Sequence, residues 1–191
     1  ETLIAFQHNP QKVLLVGDTK QLPATVISQA AKDKHYDWSM MWRLAEECRQ
    51  PSLMITEQYR MHPEICQWPS QRYYQGRLTT AASLTFNCSA DGLNRPYAFY
   101  AMSAQQNKEG KVGNSSFIQK EVNYVSDIVK KLRETDSTST VGVITFYMAQ
   151  KDKISDGLKQ KHLMNNVKVS TVDGFQGDEG DIVIISFVRS N

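Results

Sequence analysis

Short apolar runs alternate with stretches of helical hydrophobic spacing along this chain, and that alternation limits the possible folds more than any other feature. Val13-Leu-Leu-Val16, Leu53–Ile55, Tyr97–Met102, Val141-Gly-Val-Ile-Thr-Phe146, Val167–Val172 and Ile182-Val-Ile-Ile-Ser-Phe-Val188 read as strands. The last of these is apolar enough to predict burial on both faces. Ser39–Cys48, Pro63 to Tyr73 or Tyr74, and Ala149–Lys161 read as helices, as does the stripe Val122, Val125, Ile128 or Val129, and Leu132. Pro63 suits a first helical position, and Ser116-Phe-Ile-Gln119 has capping-box spacing. Thr2–Phe6 reads as a helix end or a loop, and Gln75–Arg95 and Gln105–Ser115 read as connections. Strand and helix in alternation predict an α/β fold, a mostly parallel sheet with helices on both faces. In such sheets ligands gather at the carboxyl ends of strands.

Composition narrows the function classes. At 191 residues the chain holds one domain or two partial ones. Its 40% hydrophobic and 22% charged residues describe a folded chain. A formal charge of +2 requires any nucleic-acid groove to be a local patch. The cysteines Cys48, Cys66 and Cys88 form no CxxC, and the histidines add no ligand spacing. The expectation is no metal site, no disulfide framework and a reducing compartment. No apolar run has membrane-spanning length and the N-terminus does not read as a signal peptide, so no membrane partner is expected.

Three polar stretches follow apolar runs, and two of them contain glycine. In Gly17-Asp-Thr-Lys-Gln-Leu-Pro23, Asp18 can orient a water and Gln21 can sense a phosphate or place an attacking water. A plain strand-to-helix turn explains the same residues equally well. In Thr56-Glu-Gln-Tyr-Arg-Met-His-Pro-Glu-Ile65, Arg60 is a candidate arginine finger and Tyr59 a base-stacking residue. Taken alone, a core tyrosine and a structural ion pair explain them better, and Gln58 and His62 read as turn stabilisers. In Ser170-Thr-Val-Asp-Gly-Phe-Gln-Gly-Asp-Glu179, Ser170 and Thr171 can reach a nucleic-acid phosphate and Glu179 a ribose hydroxyl. The alternative is a glycine-rich β-hairpin. A fourth stretch places Tyr147 and Gln150 between a strand and a helix, for stacking or phosphate contact, or simply for helix-start packing. No G-x-x-x-x-G-K-[ST] phosphate loop occurs, nor a strand followed by Asp-Glu to bind magnesium.

Order and spacing remove much of this ambiguity. GDTKQLPAT, EQYRMHPEI, VGVITFYMAQ and VSTVDGFQGDEGDIVIISFVRSN in series resemble superfamily 1 helicases of the nonsense-mediated-decay-helicase type. Leu22–Ser28, Tyr36–Met41 and Ile65–Ser70 resemble their senataxin-like branch. The likeness covers nearly the whole chain, apart from roughly residues 81–115. It implies two RecA-like lobes that clamp ATP, residues 1–55 being the end of the first and 56–191 most of the second. Gln21 then looks like the γ-phosphate sensor, with Asp18 beside it. Tyr59 looks like the adenine-stacking tyrosine and Arg60 like the arginine finger. Gly177 and Glu179 look like ribose-side contacts. Ser170 and Thr171 look like the pair near the nucleic-acid backbone, and Tyr147 and Gln150 stay as weaker candidates for the same partner, with helix-start packing the better reading of those two by themselves. The resemblance further implies 5′ to 3′ movement on single-stranded RNA or DNA, or an RNA–DNA hybrid, with ATP and Mg²⁺ as cofactors. The magnesium ligands, the phosphate loop and a second arginine finger are expected outside this stretch, which by itself is expected not to hydrolyse ATP. A nuclear location is expected over a cytoplasmic one. Ala24 departs from the family's usual second proline. The competing reading is a non-catalytic, helicase-like binding module.

Overall fold

A computed structural model describes residues 2–86, 88, 95–102 and 108–189. Helix α1 is Thr2–Phe6, α2 is Gln29–Lys32, and α3 is Met40–Trp42, which continues as a π-helical turn over Arg43–Glu47. Strand β1, Glu57–Gln58, precedes α4, Pro63–Tyr73, and β2, Thr79–Thr80. Strands β3, Glu109–Val112, and β4, Ser115–Ile118, form an antiparallel hairpin. Then follow α5, Gln119–Thr135; β5, Val141–Thr145; α6, Met148–Gln160; β6, Val167–Thr171; and β7, Ile182–Ser186. The expected connections at 75–95 and 105–115 lie partly outside the described residues, and within them β2 and β3 form where the sequence predicts connection alone.

The expected α/β class forms, and its centre is a parallel sheet in the order β6-β5-β7. Val141 and Val143 of β5 point to α5 and α6, whose Val122, Val125, Val129, Leu132, Ile154 and Leu158 close the core. The α5 stripe is the one the spacing predicts. On the opposite face Phe175 lies over Gly142, where an added Cβ would sit 2.5 Å from the ring. Glycine is therefore required in mid-strand so that the ring can seat against bare backbone.

Three expected strands do not form. Val13–Val16, Leu53–Ile55 and Tyr97–Met102 have no strand pairing, and Leu14, Leu53 and Phe99 are exposed. A run becomes a strand only where a neighbour takes up its backbone donors and acceptors, and among the described residues none lies beside these. β7 is not buried on both faces: Ile182 and Ile184 face the core, whereas Val183 and Ile185 are about half exposed. Ser116 is not a helix cap. It lies in β4 and its hydroxyl bonds Glu109, while Ile118 at the α5 N-cap gives its N–H to Gln150.

Candidate functional site

The turn after β1 is built around one amide. Gln58 Oε1 accepts from the backbone N–H of Arg60 (2.8 Å) and Met61 (2.7 Å), and Nε2 donates to the Met61 carbonyl and Thr80 Oγ1. His62 Nδ1 then accepts the Glu64 N–H at 3.2 Å and Pro63 opens α4. Gln58 and His62 thus hold the turn, as expected, and Tyr59 and Arg60 are left projecting. Tyr59 is 64% exposed and donates its phenol proton to Glu57 at 2.7 Å. That bond raises the phenol's pKa and keeps it neutral. Both faces of an exposed, tethered ring suit stacking better than a core role.

Arg60 Nε donates to Glu179 Oε2 at 3.0 Å, across 119 residues of sequence. The two candidate nucleotide contacts from separate motifs are therefore neighbours. Glu179 reaches this position because the 172–181 segment crosses back over β5. Phe175 anchors it, Gly177 turns it with φ +86°, and Asp181 ends it by accepting the N–H and hydroxyl of Thr140 (2.8 and 2.7 Å). A residue with a side chain is strained at the Gly177 φ. Those Thr140 bonds, the backbone one first, lower the Asp181 pKa. The segment is a crossover between two parallel strands rather than a hairpin.

Asp18 is half-buried and accepts three bonds: the Lys20 N–H at 2.9 Å, Gln21 Nε2 at 3.1 Å and Tyr74 Oη–H at 2.6 Å. Burial by itself raises its pKa, but these bonds outweigh it and the net shift is downward. Tyr74 moves oppositely, to about 12, through burial and then its bond to the Asp18 carboxylate. Asp18 and Gln21 are thus joined, with Asp18 as a fixed anion.

The carboxyl ends of β5, β6 and β7 form a different surface. Ser170 is buried and Thr171 half-buried, and the Thr171 hydroxyl accepts the Gly174 N–H at 3.3 Å. Tyr147 caps α6 and lies under the Arg189 guanidinium, 5.8 Å from its ring centre. Gln150 requires a correction. It is fully buried, its Oε1 accepts from Ile118 at 2.9 Å and its Nε2 donates to Ser186 at 2.8 Å. Both ends of the amide are spent inside the core, so the side chain offers nothing to a nucleic acid.

Glu179 lies beside Thr140, Val141 and Val167, at the amino ends of β5 and β6. The Arg60–Glu179 pair and the Ser170–Thr171–Tyr147 surface therefore occupy opposite ends of the sheet. The strand-end rule pointed all three motifs to the carboxyl ends, and the crossover overturns it for Glu179.

Sequence reasoning missed several residues here. Phe146 and Phe187, each directly after a strand, are 56% and 44% exposed and lie together, ring centres 5.8 Å apart. Their matching positions were a readable signal. Arg189 is placed by Glu109, which it bonds through Nε at 3.1 Å. The Glu109 pKa drops to about 2 through that bond first and the Ser116 hydroxyl second. Tyr74 carried no local signal, being 56 residues from its partner. Among the described residues no group of three or more His, Cys, Asp or Glu side chains is disposed to hold a metal ion, and no helix is long and apolar enough to cross a membrane.

Comparison with known proteins identifies the family. A family model described as an AAA domain matches residues 36–191, and a second AAA domain model matches residues 1–29. The chain is 39% identical over 207 residues to probable helicase senataxin of Homo sapiens, covering 100% of this chain and 8% of that protein. Against probable helicase MAGATAMA 3 of Arabidopsis thaliana the identity is 35% over 202 residues, covering 100% and 25%. Against helicase sen1 of Schizosaccharomyces pombe it is 31% over 199 residues, covering 100% and 12%. The chain thus spans only a small part of the length of these relatives.

Proposed function

The chain belongs to the AAA domain family, and from that premise we propose that it is part of an ATP-dependent 5′ to 3′ helicase acting on RNA, DNA or an RNA–DNA hybrid. The observation that carries this is the Arg60–Glu179 bond, which unites two candidate nucleotide contacts from motifs 119 residues apart. Residues 1–55 close the first RecA-like lobe and residues 56–191 supply most of the second. Tyr59 stacks on the adenine, Gly177 and Glu179 meet the ribose side, and Arg60 brings fixed positive charge to the γ-phosphate. Both partners of the Arg60–Glu179 pair are more than half exposed. Exposed pairs contribute about 1 kcal/mol or less, so a phosphate can displace the carboxylate from the guanidinium. Gln21, held by Asp18, orients the attacking water. Magnesium, if held by residues beyond those described, would neutralise phosphate charge.

Thr171 and Tyr147 face the nucleic acid, with Ser170 buried beside them and the exposed Phe146–Phe187 pair as added base-stacking area. Backbone contact and stacking make binding sequence-tolerant and salt-sensitive. The senataxin-like resemblance favours a nuclear location. Arg60→Ala in the full-length protein tests the reading. Nucleic-acid-stimulated ATP turnover should fall by roughly a thousandfold or more with the melting temperature retained. Unchanged turnover removes Arg60 from the mechanism.

A further inference from the structure

We propose that Tyr74 is a positioning residue that ties the water-orienting glutamine of one lobe to the helix that follows the Arg60 turn in the other. The inference rests on the two-lobe reading above and names a residue and a route within it.

Three observations carry it. The first is connectivity: Tyr74 Oη–H donates to Asp18 Oδ2 at 2.6 Å, and that same oxygen accepts from Gln21 Nε2 at 3.1 Å. The three side chains are one relay with the carboxylate in the middle. The second is direction. A carboxylate only accepts, so it fixes the Gln21 amide with its NH₂ towards Asp18 and leaves Oε1 as the acceptor for a water. Without the tyrosine, Asp18 loses one of the donors that fix its rotamer, and the amide loses its reference. The third is mechanical. Tyr74 is the C-cap of α4, whose 11 residues begin at Pro63, immediately after the Arg60 turn. At 1.5 Å per residue the helix is a rod of about 16 Å. Arg60 hangs from one end and Tyr74 from the other, so a rigid-body shift of the second lobe moves both together. The phosphate contact and the water-orienting amide are thereby set or released in one motion.

The charges suit the task. Tyr74 is a neutral donor and Asp18 an anion under ordinary conditions, so the bond does not depend on a titrating group near neutral pH. Lys20 holds the same turn from the other side, its Nζ on Glu46 at 3.1 Å. The turn is therefore fastened to its own lobe by Lys20 and to the other by Tyr74.

The test uses the full-length protein and compares Tyr74→Phe, Asp18→Asn, the double variant and Arg60→Ala. Tyr74→Phe keeps the ring and removes only the donor. Its nucleic-acid-stimulated kcat should fall roughly tenfold or more while the KM for ATP stays within about twofold, because orientation of the water is lost rather than nucleotide binding. The double variant should be no slower than Asp18→Asn alone, since both substitutions break one relay. Wild-type kcat in Tyr74→Phe, a loss confined to KM, or full multiplication of the two effects overturns the proposal. Arg60→Ala separates this from the underlying reading. If it abolishes stimulated turnover while Tyr74→Phe is wild-type, the relay falls and the helicase reading stands. If it leaves turnover intact while Tyr74→Phe and Asp18→Asn remain non-multiplicative, the relay stands and the arginine-finger reading falls.

Discussion

Val13-Leu-Leu-Val16 and Val141-Gly-Val-Ile144 are nearly interchangeable as sequence, yet they end in opposite environments. Val141 and Val143 are almost fully buried at the centre of a three-stranded sheet, under α5 and α6. Leu14 and Val16 are 87% and 85% exposed and carry no ladder. The contrast extends to their surroundings: from residue 6 to residue 65 no side chain is buried, whereas the core is assembled from residues 122–167. An apolar run records a need for burial, worth about 1.5–3 kcal/mol per Val, Leu or Ile. It does not record what supplies the burial. β5 has a strand on each edge and two helices packed on each other, all within 70 residues of sequence. Val13–Val16 has no such neighbours among the described residues.

Hydrogen exchange probes this contrast most strongly. Amides of β5 and of the buried turns of α5 and α6 should exchange roughly a thousandfold or more slowly than those of Val13–Val16. Comparable protection of the two runs would break the comparison. Truncation should give the next largest difference. Ile154→Ala, at a fully buried position, should cost about 2–5 kcal/mol in chemical denaturation, against less than about 0.5 kcal/mol for the exposed Leu14→Ala. Equal losses would mean that Leu14 has a packing partner in solution. The smallest effect concerns the bond that ties the first region to the end of α4. Tyr74 titrates at about 12 in the folded chain against an ordinary value of 10.0. Folding therefore favours the protonated phenol. The contribution is complete below about pH 10 and is lost as pH rises towards 12. The melting temperature should drop more between those values in the wild-type protein than in Tyr74→Phe. Parallel curves would show that folding does not raise the Tyr74 pKa.

Much of the fold was legible because its signals are local. The α5 stripe, the α4 start at Pro63, and strands β5 and β6 are set by spacing and turn chemistry that neighbouring residues supply. The turn roles of Gln58 and His62 were legible for the same reason, since both act within three residues on the backbone around Tyr59 and Arg60. Gln150 was misread because an amide at the start of a helix looks the same from sequence whether it faces solvent or the core. Only the approach of Ile118 and Ser186, 32 and 36 residues away, decides which.

The sequence alone determined the α/β class, the motif order and, through them, the family. These depend on periodicity and on which chemical groups follow one another along the chain. Tertiary structure alone decided which apolar runs become strands, that Arg60 meets Glu179, that Asp18 meets Tyr74, and that the nucleotide pair and the Ser170–Tyr147 surface lie at opposite ends of one sheet. Each of these is set by how distant segments pack and by a crossover running back over β5, and no local pattern encodes the distance between residues 56 or 119 positions apart.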